Sequence, residues 1–153
     1  MSSELIDRYR DGLAGMELSH TWRGHGSAIF LEFGKLTSRV RRDGSVANPD
    51  GEFGVMIEWS WRIEDKNSVI CGSWSDAASW ESALQRLHGS TVKKLEVFGE
   101  LPELAVGLSN GHRILSFMTS EGDPQWALFD RRSVPGKWLC VREGRLIEEV
   151  SSA

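Results

Sequence analysis

The stretch FGVMIEWSWRI, residues 53–63, carries the clearest structural signal in the chain. Large apolar residues occupy every second position of it: Phe53, Val55, Ile57, Trp59, Trp61 and Ile63. Because successive side chains of a strand point to opposite faces, this period of two is typical of a strand with one buried face. We predict a single long strand over 53–63 with the alternating apolar set in the core, so that alanine in place of Trp59 would cost about 3–5 kcal/mol.

Shorter patterns extend this interpretation to the rest of the chain. Residues 3–10 and 76–88 repeat their apolar side chains every three or four positions, as helices do. Alternation bounded by turn residues predicts further strands at 16–23, 27–33, 68–73, 91–98, 103–108, 113–119, 125–130, 138–142 and 145–149. The dipeptide Asn110-Gly111 favours a tight hairpin turn. The sequence therefore predicts an α+β fold of antiparallel, β-rich meander sheets with two short helices.

The two halves of the chain share an order of predicted elements. LAG at 13–15 ends the first helix and LHG at 87–89 ends the second. Each helix precedes two strands and then a strand that carries tryptophan, which is Trp59 and Trp61 in the first half and Trp126 in the second. We interpret this order as an internal αβββ repeat, and the alternative is a coincidence between similar helix–strand junctions.

We predict that residues 1–150 form a single domain that contains both repeat units. Its units span about 3–73 and 76–130, a hairpin at 137–149 follows, and 151–153 form a tail. A chain of 153 residues with 40% hydrophobic and 26% charged residues has the size and composition of one ordinary globular domain.

Charge and hydropathy narrow the class of protein. The formal net charge of −4 disfavours a nucleic-acid partner, since such proteins more often carry a basic balance. No run of about 18 apolar residues suits a membrane span, and the charged N-terminal segment lacks the apolar run of a signal peptide. We therefore expect a cytoplasmic protein.

Cys71 and Cys140 lie far apart in strand-like runs, and we expect them to be small buried thiols, a disulfide being the less favoured alternative.

Motifs that define common catalytic sites are absent from the sequence. It contains no CxxC, HxH or HExxH pattern for zinc, no GxxxxGK[ST] phosphate loop and no GxSxG nucleophile motif. The sequence thus predicts no metal, no cofactor and no catalytic residue. His20 and His25 are the nearest pair of histidines, and together with carboxylates gathered in space they could line a pocket between the helices and the sheet.

Residues 34–52 are rich in loop and turn chemistry and include Arg39, Arg41 and Arg42. Long loops are often functional, and guanidinium groups form charge-assisted bonds to acidic partners. We predict that these arginines bind a partner, and the alternative is a flexible insertion.

The chain also has seven tryptophans. We expect most to lie in the core, with one or two exposed to anchor a partner.

One part of the sequence resembles a known group of proteins. The pattern LxGxxV at 87–92, LSNG at 108–111 and WAL at 126–128 is similar to one found in small uncharacterised bacterial domains. Some of those domains resemble the immunity proteins that neutralise polymorphic toxins. The resemblance implies a bacterial protein with a partner-binding role, and it implies no catalytic residue.

These observations lead to two hypotheses of function. The first is a non-catalytic domain, immunity-like or complex-forming, that binds another macromolecule. We expect that macromolecule to be a protein, with no nucleic acid and no membrane involved, and the domain to be a monomer or a homodimer. The second is a small-ligand-binding protein or an enzyme with its pocket between helices and sheet. We prefer the first, because the sequence offers tryptophans and arginines for binding but no catalytic motif.

Overall fold

The computed structural model describes residues 2–151. Within this range the chain forms two helices and thirteen strands. The helices are α1 (Ser2–Leu13) and α2 (Ala77–Gln85). The strands are β1 (Leu18–Arg23), β2 (Ile29–Phe33), β3 (Thr37–Val40), β4 (Val46–Asp50), β5 (Phe53–Ile57), β6 (Trp61–Glu64), β7 (Val69–Gly72), β8 (Val92–Phe98), β9 (Glu103–Leu108), β10 (Arg113–Ser116), β11 (Trp126–Asp130), β12 (Lys137–Arg142) and β13 (Arg145–Val150). The predicted tail at 151–153 lies almost entirely outside the described residues.

The strands form two main sheets and a separate ribbon. The larger sheet has six strands in the order β1-β2-β5-β11-β12-β13, and the smaller has five in the order β7-β6-β10-β9-β8. Among the described strands, β3 and β4 pair only with each other. The pairings are antiparallel throughout. This confirms the predicted α+β, antiparallel, β-rich fold.

The two sheets and both helices share one hydrophobic core. Helix α1 contacts β8 and β13, which are edge strands of different sheets, and α2 contacts the edge strand β7. Side chains such as Leu13 and Leu87, at or just after the ends of the helices, are completely buried. Each helix therefore covers sheet edges and closes the core. Within residues 2–151, neither helix has the length and apolar character needed to cross a membrane.

The prediction of one long strand over 53–63 is wrong. The chain leaves the six-stranded sheet after β5, crosses at 58–60, and enters the five-stranded sheet as β6. Five of the six predicted core residues are buried, but Trp59 is 44% exposed at the crossing. The core lies between both sheets, so the buried alternating set resumes at Trp61 once the chain has changed sheet. A pattern of period two reports the buried face and not which sheet the strand joins.

The two halves of the chain have corresponding strand orders. The first half places β1-β2-β5 in the six-stranded sheet and sends β6 and β7 to the other. The second half places β8-β9-β10 in the five-stranded sheet and sends β11 and β12 to the first. Two corresponding strand pairs therefore join the halves: β5 with β11 in the six-stranded sheet, and β10 with β6 in the five-stranded sheet. The halves exchange strands, an arrangement that the predicted αβββ units did not include.

Hydrogen bonds where each helix meets its first strand also correspond. The backbone N–H of Gly15 donates to Val92 O, and that of Gly89 donates to Leu18 O, both at 2.9 Å. Both glycines have positive φ, 78° and 85°, a conformation in which glycine is favoured at helix ends. The similar LAG and LHG endings in the sequence thus occupy matching places in the fold.

The tryptophans at the start of β6 and β11 make a second matching pair of bonds. The Trp61 indole N–H donates to Ser27 O at 2.7 Å, and that of Trp126 donates to Pro102 O at 2.8 Å. Ser27 shortly precedes β2 and Pro102 immediately precedes β9, which are the second strands of their halves. An internal repeat requires such matched contacts. The repeat itself stays a prediction, which superposition of the two halves would test.

Candidate partner-binding cleft

The two crossings between sheets lie side by side. The first is 58–60 and the second, between β10 and β11, is 117–125. The N–H of Phe117 donates to Ser60 O at 3.0 Å, and the hydroxyls of Ser60 and Thr119 are 2.6 Å apart. These bonds hold two irregular segments together at one end of the molecule, where neither sheet continues. A cleft opens there.

This aromatic cleft consists of two adjoining wells of about 310 and 290 Å³. Both wells share the side chains of Ser60, Ser73, Trp74 and Thr119. Phe98, Leu115 and Phe117 complete the apolar wall of the first well, and Trp59 that of the second. The wells therefore adjoin at these four shared residues, and aromatic side chains line both of them.

Four of these aromatic side chains are unusually exposed. Trp74 is 94% exposed, Phe117 59%, Trp59 44% and Phe98 40%. Single exposed apolar residues are normal on a protein surface, but a contiguous group around a concavity marks an interaction site. Tryptophan is also the residue type most enriched among those that dominate binding energy. The cleft thus has the character of a docking surface.

The indole N–H groups of the seven tryptophans fall into two groups. Four donate to a protein oxygen, those of Trp22, Trp61, Trp80 and Trp126. Those of Trp59, Trp74 and Trp138 have no protein acceptor within residues 2–151. Trp59 and Trp74, which line the aromatic cleft, are therefore two residues whose indole N–H groups lack a protein acceptor.

The aromatic cleft is close to electrically neutral. Among the described residues its one charged lining side chain is Arg62, whose Nε donates to Glu64 Oε1 at 2.8 Å. Its hydroxyls are also largely engaged, because Ser60 and Thr119 bond to each other and Ser27 donates to the carbonyls of the first crossing. What the cleft offers to a ligand is mainly aromatic surface and indole donors.

The predicted histidine pair does not line this cleft. His20 is half-buried on β1, where its Nε2 lies 2.9 Å from Asn48 Oδ1 of the ribbon. The His88 ring lies 6.3 Å from the His20 ring between centroids. Burial lowers the pKa of His88, and the neighbouring His20 adds to this effect. His25 lies beyond β1 in an exposed turn. A pocket formed by His20 and His25 stays a prediction, because neither residue lines the aromatic cleft.

The predicted arginine cluster lies on the ribbon formed by β3 and β4. Arg39, Arg41 and Arg42 are all exposed. Arg39 lies 3.5 Å from Asp50, and Arg41 donates to Val46 O at 2.7 Å, so two of the three are partly engaged within the ribbon. The segment expected to be a loop is thus a two-stranded hairpin.

The ribbon and the aromatic cleft lie toward opposite ends of the six-stranded sheet. The ribbon joins β2 and β5 at their paired residues Phe33 and Phe53. The first crossing begins at the other end of the same strands, where Ile29 pairs with Ile57. The arginines therefore form a surface separate from the cleft.

A second cavity, of about 400 Å³, lies between α1 and the six-stranded sheet and is lined by charged groups. Arg8 pairs with Glu148 at 3.0 Å, and Arg132 pairs with Asp130 at 3.0 Å. The Tyr9 hydroxyl donates to Glu148, and burial together with this carboxylate raises the pKa of Tyr9. Most charged side chains of this cavity are therefore already in ion pairs. The contacts of Arg8 and Tyr9 with Glu148 attach α1 to β13.

Metal and thiol chemistry receive little support from the geometry. Within residues 2–151, no three His, Cys, Asp or Glu side chains come together as a metal site would need. Cys71 and Cys140 are free and buried, as expected, and burial raises the pKa of the Cys140 thiol.

The chain matches no family model, no curated protein and no solved structure. Its resemblance to immunity-like bacterial domains stays a prediction.

Proposed function

We propose that this protein is a non-catalytic binding domain that holds another protein in the aromatic cleft. The observation that carries the proposal is the exposure of Trp74, 94%, beside Trp59, Phe98 and Phe117 around one depression. A bound tryptophan covers about 150–250 Å² and burial stabilises by about 25 cal/mol per Å², so covering one such ring contributes about 4–6 kcal/mol before the costs of association. An exposed tryptophan is therefore a strong anchor for a partner.

We extend this proposal to the biological setting that the sequence suggests. The protein is proposed to be bacterial and cytoplasmic and to act as an immunity-like or complex-forming domain, as a monomer or a homodimer. The matched contacts of Gly15 with Gly89 and of Trp61 with Trp126 support an internal repeat. In such a repeat the cleft lies where the two halves exchange strands.

Small-ligand binding remains the alternative, supported by the charged cavity beside α1. That cavity lies between a helix and a sheet, where the alternative hypothesis placed a pocket. We rank it second because Glu148 and Asp130 already accept from Arg8 and Arg132. A charged ligand would have to displace one of these ion pairs.

The double substitution Trp59→Ala/Trp74→Ala should weaken partner binding at least about 30-fold, since even one anchor residue contributes about 2 kcal/mol or more. The partner is first captured from extracts of the source organism, identified and purified, and its Kd is then measured by calorimetry. Val134→Ala is the matched control, because Val134 is 98% exposed but lies outside the cleft. A purified partner that binds wild type and the double variant equally would contradict the proposal.

The triple substitution Arg39→Ala/Arg41→Ala/Arg42→Ala should weaken binding if the partner also contacts the ribbon. The loss should diminish at high salt, since exposed ion pairs are screened. The melting temperature should change little, because exposed charges contribute about 0–1 kcal/mol per pair. Calorimetry with the same purified partner at low and high salt measures the effect. An unchanged Kd at low salt would remove the arginines from the interface.

A further inference from the structure

We propose that the part of the partner bound in the aromatic cleft is an uncharged, proline-rich segment in the polyproline II conformation. This inference rests on the proposed function and specifies the chemistry of the partner. Extended proline-rich segments are recognised elsewhere by aromatic-lined grooves, because the polyproline II helix is preformed and loses little entropy on binding. Three properties of this cleft fit such a segment.

The first property is shape. Two wells of similar volume, about 310 and 290 Å³, adjoin each other and share the wall at Trp74. A polyproline II helix has three residues per turn and presents apolar rings at regular intervals along one edge. Successive turns would place one group of rings against Phe98 and Phe117 and the next against Trp59.

The second property is the supply of hydrogen-bond donors. The indole N–H groups of Trp59 and Trp74 have no acceptor within the described part of the protein. A polyproline II segment has no internal hydrogen bonds, so its carbonyl groups need outside donors. Indole groups donate without accepting, and proline-rich segments accept without donating, since proline lacks a backbone N–H. The two sets of groups are complementary.

The third property is the absence of groups that would recognise other ligands. Within residues 2–151, neither well is lined by a carboxylate or carboxamide side chain, which a sugar would need for its hydroxyls. The Ser60 and Thr119 hydroxyls bond to each other, and Arg62 is held by Glu64. Glycans and charged peptides therefore find few partners here.

The test uses the whole protein and synthetic probes. These are a proline-rich peptide of about ten residues, blocked at both ends, a peptide of the same length with alanine for proline, and a linear glucose oligosaccharide. Calorimetry and tryptophan fluorescence should show binding of the proline-rich peptide alone. Trp74→Phe and Trp59→Phe should each weaken it about 2- to 10-fold, because each keeps a ring and removes one donor. Trp138→Phe should leave binding unchanged, since that indole also lacks an acceptor but lies outside the cleft.

Several results would overturn the inference. These are equal binding of the alanine peptide, binding of the oligosaccharide instead, no binding of the proline-rich peptide, or an equal loss in Trp138→Phe. Melting curves confirm that each variant folds. If the proline-rich peptide does not bind, while Trp59→Ala/Trp74→Ala still weakens binding of the purified partner, the inference is wrong and the proposed function stands. If the purified partner also binds that double variant normally, both are wrong.

Discussion

Replacing Trp126 by alanine should lower the free energy of unfolding by about 3–5 kcal/mol, a large fraction of the stability of a domain of this size. The Trp126 side chain is completely buried and ranks among the largest in the core. Its indole N–H donates to Pro102 O at 2.8 Å and thereby ties β11 to the start of β9 in the other sheet. Alanine would leave a cavity between the sheets and a buried carbonyl without a donor.

Urea unfolding followed by far-ultraviolet circular dichroism measures this loss without depending on tryptophan emission. Trp74→Ala is the control, because an exposed side chain removed from the surface should change stability by no more than about 0.5 kcal/mol. The loss of unfolding free energy for Trp59→Ala should be well below that for Trp126→Ala. This contrasts with the cost predicted from the alternating pattern. A loss for Trp59→Ala as large as that for Trp126→Ala would mean that the first crossing belongs to the core.

The fold class could be predicted from the sequence because burial alone sets the alternation. Phe53, Val55 and Ile57 face the core from one sheet, and Trp61 and Ile63 face it from the other. The sheet to which each strand belongs depends on pairings between distant segments. Strand β5 meets β11 about 70 residues later in the chain, and no local pattern reports such a partner. The exchange of strands between halves was therefore missed.

The cleft was only partly foreseen, and its residues show why. The sequence predicted that one or two of the seven tryptophans are exposed, but it did not say which. Trp74 stands in the run Gly-Ser-Trp-Ser between β7 and α2, outside any apolar pattern, and this irregular context was a usable signal. Trp59 gave the opposite signal, since it stood in perfect alternation. Its exposure follows from the crossing, which is a property of the tertiary structure.

The buried ion pair between Glu32 and Arg131 gives a second large expected effect. Glu32 is 1% exposed although it lies on the outer face of β2, because Arg131, Gly51 and Trp22 surround its carboxylate. Its Oε1 accepts from Arg131 Nη1 at 2.9 Å and from the Gly51 N–H at 3.0 Å. Its Oε2 accepts from the Trp22 indole at 3.1 Å. The burial of Glu32 could not be predicted from the sequence, since the return of the chain through Gly51 and Arg131 has no local signal.

Arg131→Met should destabilise the protein by about 3–5 kcal/mol, because it leaves the Glu32 carboxylate buried without its cation. Adding Glu32→Gln should recover part of this loss, since no unpaired charge remains and the amide oxygen can still accept from the Gly51 N–H. The recovery is incomplete because the amide NH2 then faces the Trp22 indole, which is also a donor. Urea unfolding of the wild type, both single variants and the double variant forms a thermodynamic cycle that isolates the coupling of the pair. If the two losses simply add, the pair is not coupled, and the burial of Glu32 is stabilised by its backbone and indole donors alone.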